Sequence, residues 1–507
     1  MGWFFIGVLL FAIAGGFAKI MTHFNHNEHM YITAGVLVSQ NKVLYRDFAY
    51  LQMPCLPLLY GGLYQLLGID SHYYLAGKLV SFLALAGSAW VLFLITRRVL
   101  GESNIASGLA ALFLLNMSIV GPAREVSNYI LPVFLSFLAV YLFEAAHQQP
   151  NKQPLLMIFA GLMLALAVGV KLTYAAIVFP FLAVIGLQML LNSKLFLTTI
   201  ARQFLPFLAG LWIGLLPITG FIIRDPAVFI FNNWGYHTIN TQWRFLTGYT
   251  DTMSLSSKLI FAGETFLKTD NLILLSGVTL GVAFSWLDFR RTKKISMGLV
   301  LALFLFITGI LTALAPTPSF SQYYTIPISF LFILLVYSWG VKINGTFRPQ
   351  RMAILFMVLA SLVNVGMAYI ESISDLRYRE KWSALYIHDV STKIREVLHQ
   401  KDAGIVSKVA TLSPLFAVEA GLPIYPELAS GPFLYRVGDL LTAEQRNYFI
   451  ASSPNTIKHF LQTNPPAAVL IGFEGELDGP LLEFALENGY RKIVLPDFGG
   501  ILYLDQP

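Results

Sequence analysis

The chain has 507 residues, of which 56% are hydrophobic and 12% are charged, whereas a soluble domain carries roughly 25% charged residues. This composition excludes an ordinary soluble protein and indicates a membrane protein. The single cysteine, Cys55, excludes an intramolecular disulfide, so any part outside the membrane is held by packing alone. The net charge of +6 comes partly from lysines and arginines that flank apolar stretches, and it therefore gives no indication of a nucleic-acid partner.

Apolar stretches long enough to cross a membrane, ~20 residues each, recur along the chain. They predict a mainly α, polytopic membrane protein with about eleven transmembrane helices. The first stretch lacks the basic segment of a signal peptide, and further spans follow it, so it is predicted to be a retained helix. The predicted spans lie at roughly 3–21, 75–96, 104–120, 128–146, 155–170, 172–191, 204–223, 271–288, 296–314, 323–340 and 352–371.

Lysines and arginines gather in alternate loops, and this alternation predicts the orientation of the chain. The positive-inside rule makes the basic loops cytoplasmic, and with them the N-terminus. The first long loop (22–74), the loops 121–127, 224–270 and 315–322, and the C-terminal segment then lie on the outer side of the inner (plasma) membrane. The basic loops carry Arg97, Arg98, Lys152, Lys194, Arg202, the run "RRTKK" (Arg290–Lys294), Lys342, Arg348 and Arg351.

The composition changes at about Asp375, where short runs bounded by proline and glycine replace the long apolar stretches. "VSKVATLS", "PAAVLIGF", "RKIVLP" and "GILYLD" are typical of strands. Between them, "PLFAVEAGLP" and "LLEFALENGY" predict short helices that end at Gly421 and Gly489. The sequence therefore predicts a transmembrane domain over 1–372 and a small extracytoplasmic α/β domain over 373–507.

The first outer loop contains a predicted helix and an aromatic, proline-rich segment. "NEHMYITAGVLVSQNK" places Met30, Ala34 and Leu37 on one helical stripe behind Asn27 as N-cap. "YRDFAYLQMPCLPLLYGGLYQLLG" is typical of a segment at the membrane interface. Glu28 then has two interpretations: it complements the helix dipole, or it stands at the mouth of a cavity as a general base or a substrate anchor.

Further polar side chains fall on the predicted outer side. Ionisable residues near membrane depth are costly and usually face a cavity or a partner. Snorkelling to the headgroups is the alternative for the two lysines, and a plain ion pair is the alternative for the Arg124–Glu125 neighbours. Several cations on one face, opposite Glu28, suit a lipid-linked phosphate. The set comprises Lys78, Arg124, Glu125, Asn128, Lys171, Arg224, Asp225, the stretch "NNWGYHTINTQWR", Gln322, Tyr323 and Tyr324.

Three histidines near Glu28 raise the question of a metal site. His23, His26 and His29 have a spacing that does not put all three on one face of a helix. We therefore interpret them as hydrogen-bonding interfacial histidines and expect no metal and no other cofactor.

The order of these segments resembles a known family. A short first helix has a carboxylate at its outer end, and a long loop ends in "YRDFAYLQMPCLPLLYG"; "GPAREVSNYILPVFL", "AVGVKLTYAAIVFP" and "SFSQYYTIP" follow. Over about residues 1–370 the chain is similar to bacterial GT-C-fold glycosyltransferases of the protein O-mannosyltransferase and lipid A aminoarabinose transferase type. The resemblance implies a polyprenyl-phosphate-linked sugar as donor and transfer on the outer face, with inversion at the anomeric carbon.

The acidic positions of that family are matched only in part. Where the family has Asp-Glu at the start of the first loop, this chain has Asn27 and Glu28, and the aspartate is the family's usual base. A second acidic position, after the third span, is matched by Asn128. Three explanations stay open: Glu28 is the base, Asp47 reaches the site, or the acceptor is an anionic phosphate that needs positioning more than a base.

The sequence thus predicts a membrane glycosyltransferase that moves a sugar from polyprenyl phosphate to a lipid, glycan or protein acceptor. Membrane lipids are further expected partners. A lipid or glycan transporter or flippase is the alternative, although the internal repeats typical of transporters are not evident; a non-catalytic member of the fold is another. The predicted catalytic residues are Glu28, Asn27 and Asp47, the predicted phosphate ligands are Arg124, Lys171 and Lys78, and the predicted pocket residues are Asn128, Gln322, Tyr323 and Tyr324.

Overall fold

The computed structural model describes residues 2–191, 194, 196–293, 296–340, 348–399, 408–495 and 499–505. Within these residues, ten helices are long and apolar enough to cross a membrane, and a bent pair of helices makes up to eleven. This confirms the predicted count of about eleven spans. Two of the predicted cytoplasmic cations, Lys294 and Lys342, lie outside the described residues.

The membrane part consists of helices that follow one another with few long connections. The spans are α1, α4, α7, α8, α9, α11, α15, α16, α17 and α18, four of them extended by short 3₁₀, α or π turns. The helices are α1 (Gly2–Met21), α2 (Glu28–Ser39), α3 (Cys55–Leu67), α4 (Tyr73–Leu100), α5 (Ser103–Leu115), α6 (Met117–Ala123), α7 (Ile130–Gln148), α8 (Gln153–Val170), α9 (Val178–Leu191), α10 (Phe196–Thr199), α11 (Leu205–Arg224), α12 (Pro226–Ile230), α13 (Tyr236–Leu246), α14 (Leu255–Phe266), α15 (Thr269–Thr292), α16 (Met297–Leu314), α17 (Thr325–Ser338) and α18 (Arg348–Asp375).

The predicted third span is broken, because α5 and α6 meet at Asn116 with a bend of 59°. Asn116 has an extended backbone, and its side chain caps α6 by accepting the Ser118 backbone N–H at 3.0 Å. The carboxylate of Asp270 accepts the Met117 N–H at 2.7 Å, and Asn271 accepts from the Asn116 amide at 3.0 Å. A polar network therefore satisfies the backbone groups that the break leaves free, and α6 carries the chain to the segment 124–129 at the predicted outer face.

The predicted outer loops contact one another and the C-terminal domain. Glu28 accepts the backbone N–H of Val126, Asn233 donates to Tyr45 at 3.5 Å, and Tyr448 of the C-terminal domain donates to Asp225 at 2.8 Å. The fourth loop joins them where the Thr241 hydroxyl donates to the Thr317 carbonyl at 2.6 Å. These contacts gather the four loops and the C-terminal domain at one end of the bundle. Which side of the membrane this end faces stays a prediction from the basic loops.

The helix α2 is buried on all sides from Glu28 to Val36 and is not exposed at an interface as its stripe predicts. The C-terminal domain covers it: the His29 ring lies 5.8 Å from the Phe416 ring of that domain. One hydrophobic cluster runs continuously from the spans into the first helices of the C-terminal domain. The domain is therefore packed onto the outer loops and is not tethered loosely beside them.

The C-terminal segment forms the predicted α/β structure around a four-stranded sheet. The strands are β1 (Val409–Thr411), β2 (Ala468–Ile471), β3 (Arg491–Ile493) and β4 (Ile501–Leu504). Their order in the sheet is β1-β2-β4-β3, with β1 and β2 parallel and β4 antiparallel to both of its neighbours. All four predicted strands and both predicted helices are confirmed, although residues 406, 407 and 496 of the predicted runs lie outside the described residues. The helices are α19 (Ser383–His399), α20 (Pro414–Glu419), α21 (Pro432–Tyr435), α22 (Ala443–Tyr448), α23 (Ile457–Thr463) and α24 (Gly479–Glu487).

Candidate active site

Glu28, the first residue of α2, has a carboxylate that is fully buried and fully hydrogen-bonded. One oxygen accepts the Tyr74 hydroxyl at 2.6 Å and the Asn25 backbone N–H at 2.8 Å. The other accepts the Lys78 ammonium at 2.7 Å and the Val126 N–H at 2.5 Å. Four donors around one carboxylate leave no position for an acceptor hydroxyl. Glu28 therefore joins α2, α4 and the segment 124–129, and it does not face an open cavity.

Lys78, the partner of Glu28, is equally enclosed. Its ammonium also donates to the backbone carbonyls of His23 at 2.8 Å and Arg124 at 2.7 Å, so all three of its protons are used. Its side chain is not exposed, which also excludes snorkelling to the headgroups. Lys78 therefore has no free proton for the predicted phosphate contact, and Glu28 has no free position for the predicted catalytic contact with an acceptor hydroxyl.

Asn27 is the N-cap residue of α2, as the sequence predicts, but its side chain forms no capping hydrogen bond. The Asn25 side chain accepts the Asn27 backbone N–H at 3.0 Å, and Glu28 accepts the Asn25 N–H in return. These two bonds hold Asn25 against the first turn of α2. The amide of Asn27 is thereby free to turn toward Glu125.

Glu125 is a half-buried carboxylate beside Asn27. The Asn27 amide donates to it at 3.4 Å. Burial, and then the negative charge of Glu28, raises the pKa of Glu125 above its ordinary value. Arg124 forms no ion pair with it in the described part of the chain, since the Arg124 guanidinium turns to the carbonyl of Gly121 at 3.4 Å. Of the acids near the start of the first loop, Glu125 is thus the one with a partly exposed carboxylate.

Lys171 occupies the break between α8 and the next span. Its extended backbone ends α8, and its side chain is only 7% exposed. The ammonium lies 3.6 Å from the Tyr129 ring centroid and 5.5 Å from that of Tyr323, and it donates to the Asn128 side chain at 3.4 Å. Among the described residues no carboxylate pairs with Lys171. It is a buried cation whose partners are two aromatic faces and an amide.

The other predicted pocket residues divide into two groups. Asn128 is fixed by donating to Gln52 at 2.9 Å, and Gln322 hydrogen-bonds with the Tyr129 side chain, so both lie beside Lys171. Tyr324 is fully buried instead, and its ring packs against Phe261 and Phe266. The structure thus brings Asn128, Gln322 and Tyr323 to Lys171 and turns Tyr324 into the bundle core.

Arg244, on α13, is a second cation beside the site; it is half-buried, and its sequence neighbours do not distinguish it. Its guanidinium carbon lies 5.0 Å from the Tyr249 ring centroid and 5.2 Å from that of Phe320. Its Nε is buried and, within the described ranges, has no hydrogen-bond partner. Burial, and then the positive charge of Arg436, lowers the pKa of Arg244. The stretch "NNWGYHTINTQWR" is polar and aromatic, but no local pattern in it predicts that its last residue is half-buried.

Arg436 reaches the same helix from the C-terminal domain. It donates to the Asn240 side chain at 2.8 and 3.1 Å and to the Tyr236 hydroxyl at 3.4 Å. Its guanidinium also lies 5.0 Å from the Trp243 ring centroid. The C-terminal domain therefore adds a second positive charge to α13, close to Arg244.

A group of tyrosines connects Glu125 with the two cations; we call Tyr31, Tyr129, Tyr236 and Tyr323 the tyrosine cluster. Burial, and then the charge of Glu125, raises the pKa of Tyr31. The Tyr129 and Tyr323 rings lie 6.5 Å apart, and the Lys171 ammonium lies over both of them. On α13, burial and then the charge of Lys171 lower the pKa of His237 to about 4. Glu125, Lys171 and Arg244 therefore surround the same tyrosines.

Asp47 and the three histidines lie apart from this cluster. Asp47 forms a two-pronged pair with Arg46 at 2.6 and 2.7 Å, and this contact lowers the pKa of Asp47 to about 2. His29 packs between Phe24 and Phe416, whereas the exposed His26 lies 3.3 Å from Glu474. No contact in the described ranges joins Asp47 to Glu28 or to Glu125.

Comparisons with known proteins agree with this architecture. Residues 49–230 match the family described as dolichyl-phosphate-mannose-protein mannosyltransferase. The crystal structure of ArnT from Cupriavidus metallidurans bound to undecaprenyl phosphate is 13% identical with a TM-score of 0.62, and the match covers 100% of this chain and 99% of that one. The archaeal oligosaccharyltransferase AglB from Archaeoglobus fulgidus, in complex with an inhibitory peptide and a dolichol-phosphate, is 12% identical with a TM-score of 0.48, covering 99% and 74%. No curated protein matches the sequence.

The resemblance stated from the sequence is confirmed in two ways. The ArnT structure aligns with the whole chain, including the C-terminal domain, and the family match includes Lys78, Glu125 and Lys171. The chain has the GT-C fold of ArnT, and its residues 49–230 match the dolichyl-phosphate-mannose-protein mannosyltransferase family.

Proposed function

We propose that this protein is a membrane glycosyltransferase that moves a sugar from a polyprenyl-phosphate donor to an acceptor on the outer face of the membrane, with inversion. Two comparisons support the donor class: the ArnT structure holds undecaprenyl phosphate, and the matched family is named for a dolichyl-phosphate-linked sugar. The observation that carries the proposal is Lys171, a buried cation with no carboxylate partner among the described residues.

Lys171 and Arg244 are the proposed ligands of the donor phosphate. A buried charge is costly unless a partner compensates it, and the aromatic faces beside both cations do so only in part. Both cations contact the segment 320–323, Arg244 through Phe320 and Lys171 through Tyr323. An anion between them would complete the charge balance. Fixed cations would also stabilise the phosphate as it leaves the sugar.

Glu125 is the proposed base on the acceptor side. In the proposed step an acceptor oxygen bonds to the anomeric carbon, the carbon–oxygen bond to the phosphate breaks, and the phosphate keeps the electron pair. A hydroxyl acceptor gives its proton to Glu125, whose raised pKa suits a base that works near neutral pH. Glu28 then acts through its charge on Glu125, and Asn27 orients the carboxylate. An anionic acceptor would need no base.

The proposal extends to the placement of the domains. The N-terminus is cytoplasmic, and the C-terminal domain, residues 373–507, lies outside and covers the site. Its Arg436 on α13 and its contact with His29 on α2 support this arrangement, because both helices carry members of the tyrosine cluster. The acceptor, whether lipid, glycan or protein, would enter beside this domain.

Binding of undecaprenyl phosphate to the purified protein in nanodiscs tests the phosphate site. Replacing Lys171 by Met removes the charge and keeps most of the side-chain volume; we expect at least ~10-fold weaker binding from the loss of one charge-assisted contact. The matched control is Lys152→Met at the opposite end of the bundle, where the lysine is exposed and binding should not change. Equal affinity in wild type and Lys171→Met would contradict the proposed site.

Sugar transfer tests the reaction itself. Membrane extract from a deletion strain supplies the unglycosylated acceptor, and a radiolabelled polyprenyl-phosphate sugar supplies the donor. We expect label to enter the acceptor fraction with wild type and not with Lys171→Met. Movement of the labelled lipid across the bilayer without cleavage of the glycosidic bond would favour a flippase, and donor binding without either event would favour a non-catalytic member of the fold.

A further inference from the structure

A second cluster of ligating side chains lies between the membrane part and the C-terminal domain. His72 directly precedes α4, His388 is on α19, and Glu419 ends α20. One nitrogen of each histidine and one carboxylate oxygen all lie within 4.8 Å of one another. The cluster shares no contact with the tyrosine cluster in the described part of the chain.

The carboxylate of Glu419 is held in a fixed orientation. Its side chain is buried, and one oxygen lies 3.0 Å from Nδ1 of His388. The other oxygen accepts the backbone N–H of Tyr74 at 3.2 Å. Hydrogen bonds to the second oxygen of a carboxylate are a recurrent means of orienting metal ligands. No lysine or arginine pairs with Glu419 in the described ranges.

His72 adds an observation that hydrogen bonding within the cluster does not explain. Its Nδ1 is buried and has no hydrogen-bond partner among the described residues. Its backbone is left-handed, with φ of 56°, and its ring stacks on the His388 ring with centroids 3.6 Å apart. A left-handed backbone is uncommon for residues other than glycine, and a buried nitrogen without a partner is unfavourable. Within the described residues, His72 Nδ1 therefore has no partner that would compete with a ligand.

We propose that His72, His388 and Glu419 bind a divalent zinc ion that fastens the C-terminal domain to the start of α4. Two imidazole nitrogens and one carboxylate oxygen, completed by water, form a ligand set that zinc uses in proteins. Ligand atoms on one tetrahedral zinc lie about 3.4 Å apart, as zinc–ligand distances of about 2.1 Å require. The His72 and His388 rings, now stacked with 22° between their planes, would turn out of the stack on binding, so that both in-plane lone pairs point at the ion. The site differs from the His23, His26 and His29 group, whose members have separate neighbours.

The metal content of the full-length protein, purified without a histidine tag, tests the proposal. We expect about one zinc per chain, removed by a chelator and restored by added zinc, and a higher melting temperature with zinc than without it. His72→Ala should lose both the metal and the zinc-dependent shift. The matched control is His459→Ala, which removes an exposed histidine of the C-terminal domain and should keep both.

Glu419→Gln separates metal binding from packing, because glutamine keeps the shape and the hydrogen bond to Tyr74 but loses the charge. We expect unchanged stability in the absence of zinc and zinc affinity at least ~10-fold weaker. The proposal is overturned if purified wild type binds no more zinc than the His72→Ala variant, or if zinc raises the melting temperature of both by the same amount. Full zinc affinity in Glu419→Gln would exclude the carboxylate from the site.

Discussion

The ammonium of Lys78 and the carboxylate of Glu28 lie 2.7 Å apart, and neither side chain is exposed. Lys78 is on the second span, and Glu28 begins the helix that follows the first, so the pair fixes the first outer loop against the bundle. The same carboxylate accepts the backbone N–H of Val126 and thereby sets the position of Glu125. The negative charge of Glu28, which raises the pKa of Glu125, is thus held in a buried ion pair with Lys78.

Glu28→Gln should destabilise the protein strongly. The substitution leaves the buried Lys78 ammonium without its counter-charge, and removing one partner of such a pair costs about 3–5 kcal/mol in free energy of unfolding. Unfolding of the detergent-solubilised protein measures this loss. The matched control is Glu102→Gln, which breaks the equally short but partly exposed pair with Arg351 and should cost about 1 kcal/mol or less.

A different outcome would assign Glu28 a catalytic role. If Glu28→Gln unfolded like wild type but no longer transferred sugar, the carboxylate would act on the substrate and not on the fold. Glu28→Gln combined with Lys78→Met should recover part of the lost stability, because it removes both buried charges together.

The sequence was sufficient for the elements of the fold and insufficient for the partners of its charges. Span length and hydropathy identify the helices locally, so the count of spans and the four C-terminal strands were predicted correctly. Whether a carboxylate such as Glu28 faces a cavity or a lysine depends on a contact 50 residues away. No local pattern records such a contact.

Two further features of the site lay beyond the reach of sequence patterns. Arg244 is half-buried and joins the site only because α13 lies against Phe320. Burial of α2 likewise depends on the C-terminal domain, because His29 packs against Phe416 from the far end of the chain. The neighbouring span shows the same dependence: Tyr74 donates to Glu419 across a separation of 345 residues. Helical stripes describe the helix and not the domain that covers it.

Binding of undecaprenyl phosphate should weaken as pH rises above neutrality. Burial lowers the pKa of Lys171 well below the ordinary lysine value of about 10.4. The charged form is present below the lowered pKa and is lost as pH rises through it, while the phosphate stays anionic over the whole interval. Titrations at several pH values between about 7 and 10 measure the loss of affinity.

Lys171→Arg is the control for this pH dependence. The guanidinium keeps its charge throughout that interval, so its binding curve should stay flat even if its affinity is lower. If wild type and Lys171→Arg weakened in parallel with rising pH, another group would be responsible, and the assignment of the phosphate to Lys171 would be wrong.

Glu125→Gln should slow transfer to a hydroxyl acceptor by about 10²–10⁴-fold in kcat, the usual contribution of a general base, without weakening donor binding. The base must be ionised, so wild-type activity should fall as pH falls through the pKa of Glu125, which lies above the ordinary value of about 4.3. Rates over a pH series check both effects. Unchanged kcat in Glu125→Gln would contradict the role of base.

Asn27→Asp should move the acidic limb of that pH profile to higher pH. The substitution places a second carboxylate where the Asn27 amide now donates to Glu125 at 3.4 Å. Two close carboxylates resist simultaneous ionisation, so the pair takes up its first proton at a higher pH than Glu125 alone. A limb that stays in place, or moves to lower pH, would show that Asn27 and Glu125 do not share one site during the reaction.

Gly161→Ala and Gly210→Ala should each destabilise the crossing of α11 with α8, the helix that ends at Lys171. A Cβ at Gly161 would overlap the carbonyl oxygen of Phe207, and one at Gly210 would overlap that of Ile158. Backbone atoms cannot rotate away, so the helices must separate, at an expected cost of about 1–3 kcal/mol.

Gly186→Ala on α9 is the matched control, because nothing lies within 4 Å of its added Cβ. The better helix propensity of alanine should leave this variant as stable as wild type or up to about 1 kcal/mol more stable. Equal melting temperatures for all three variants in detergent would show that the two helices are not in backbone contact.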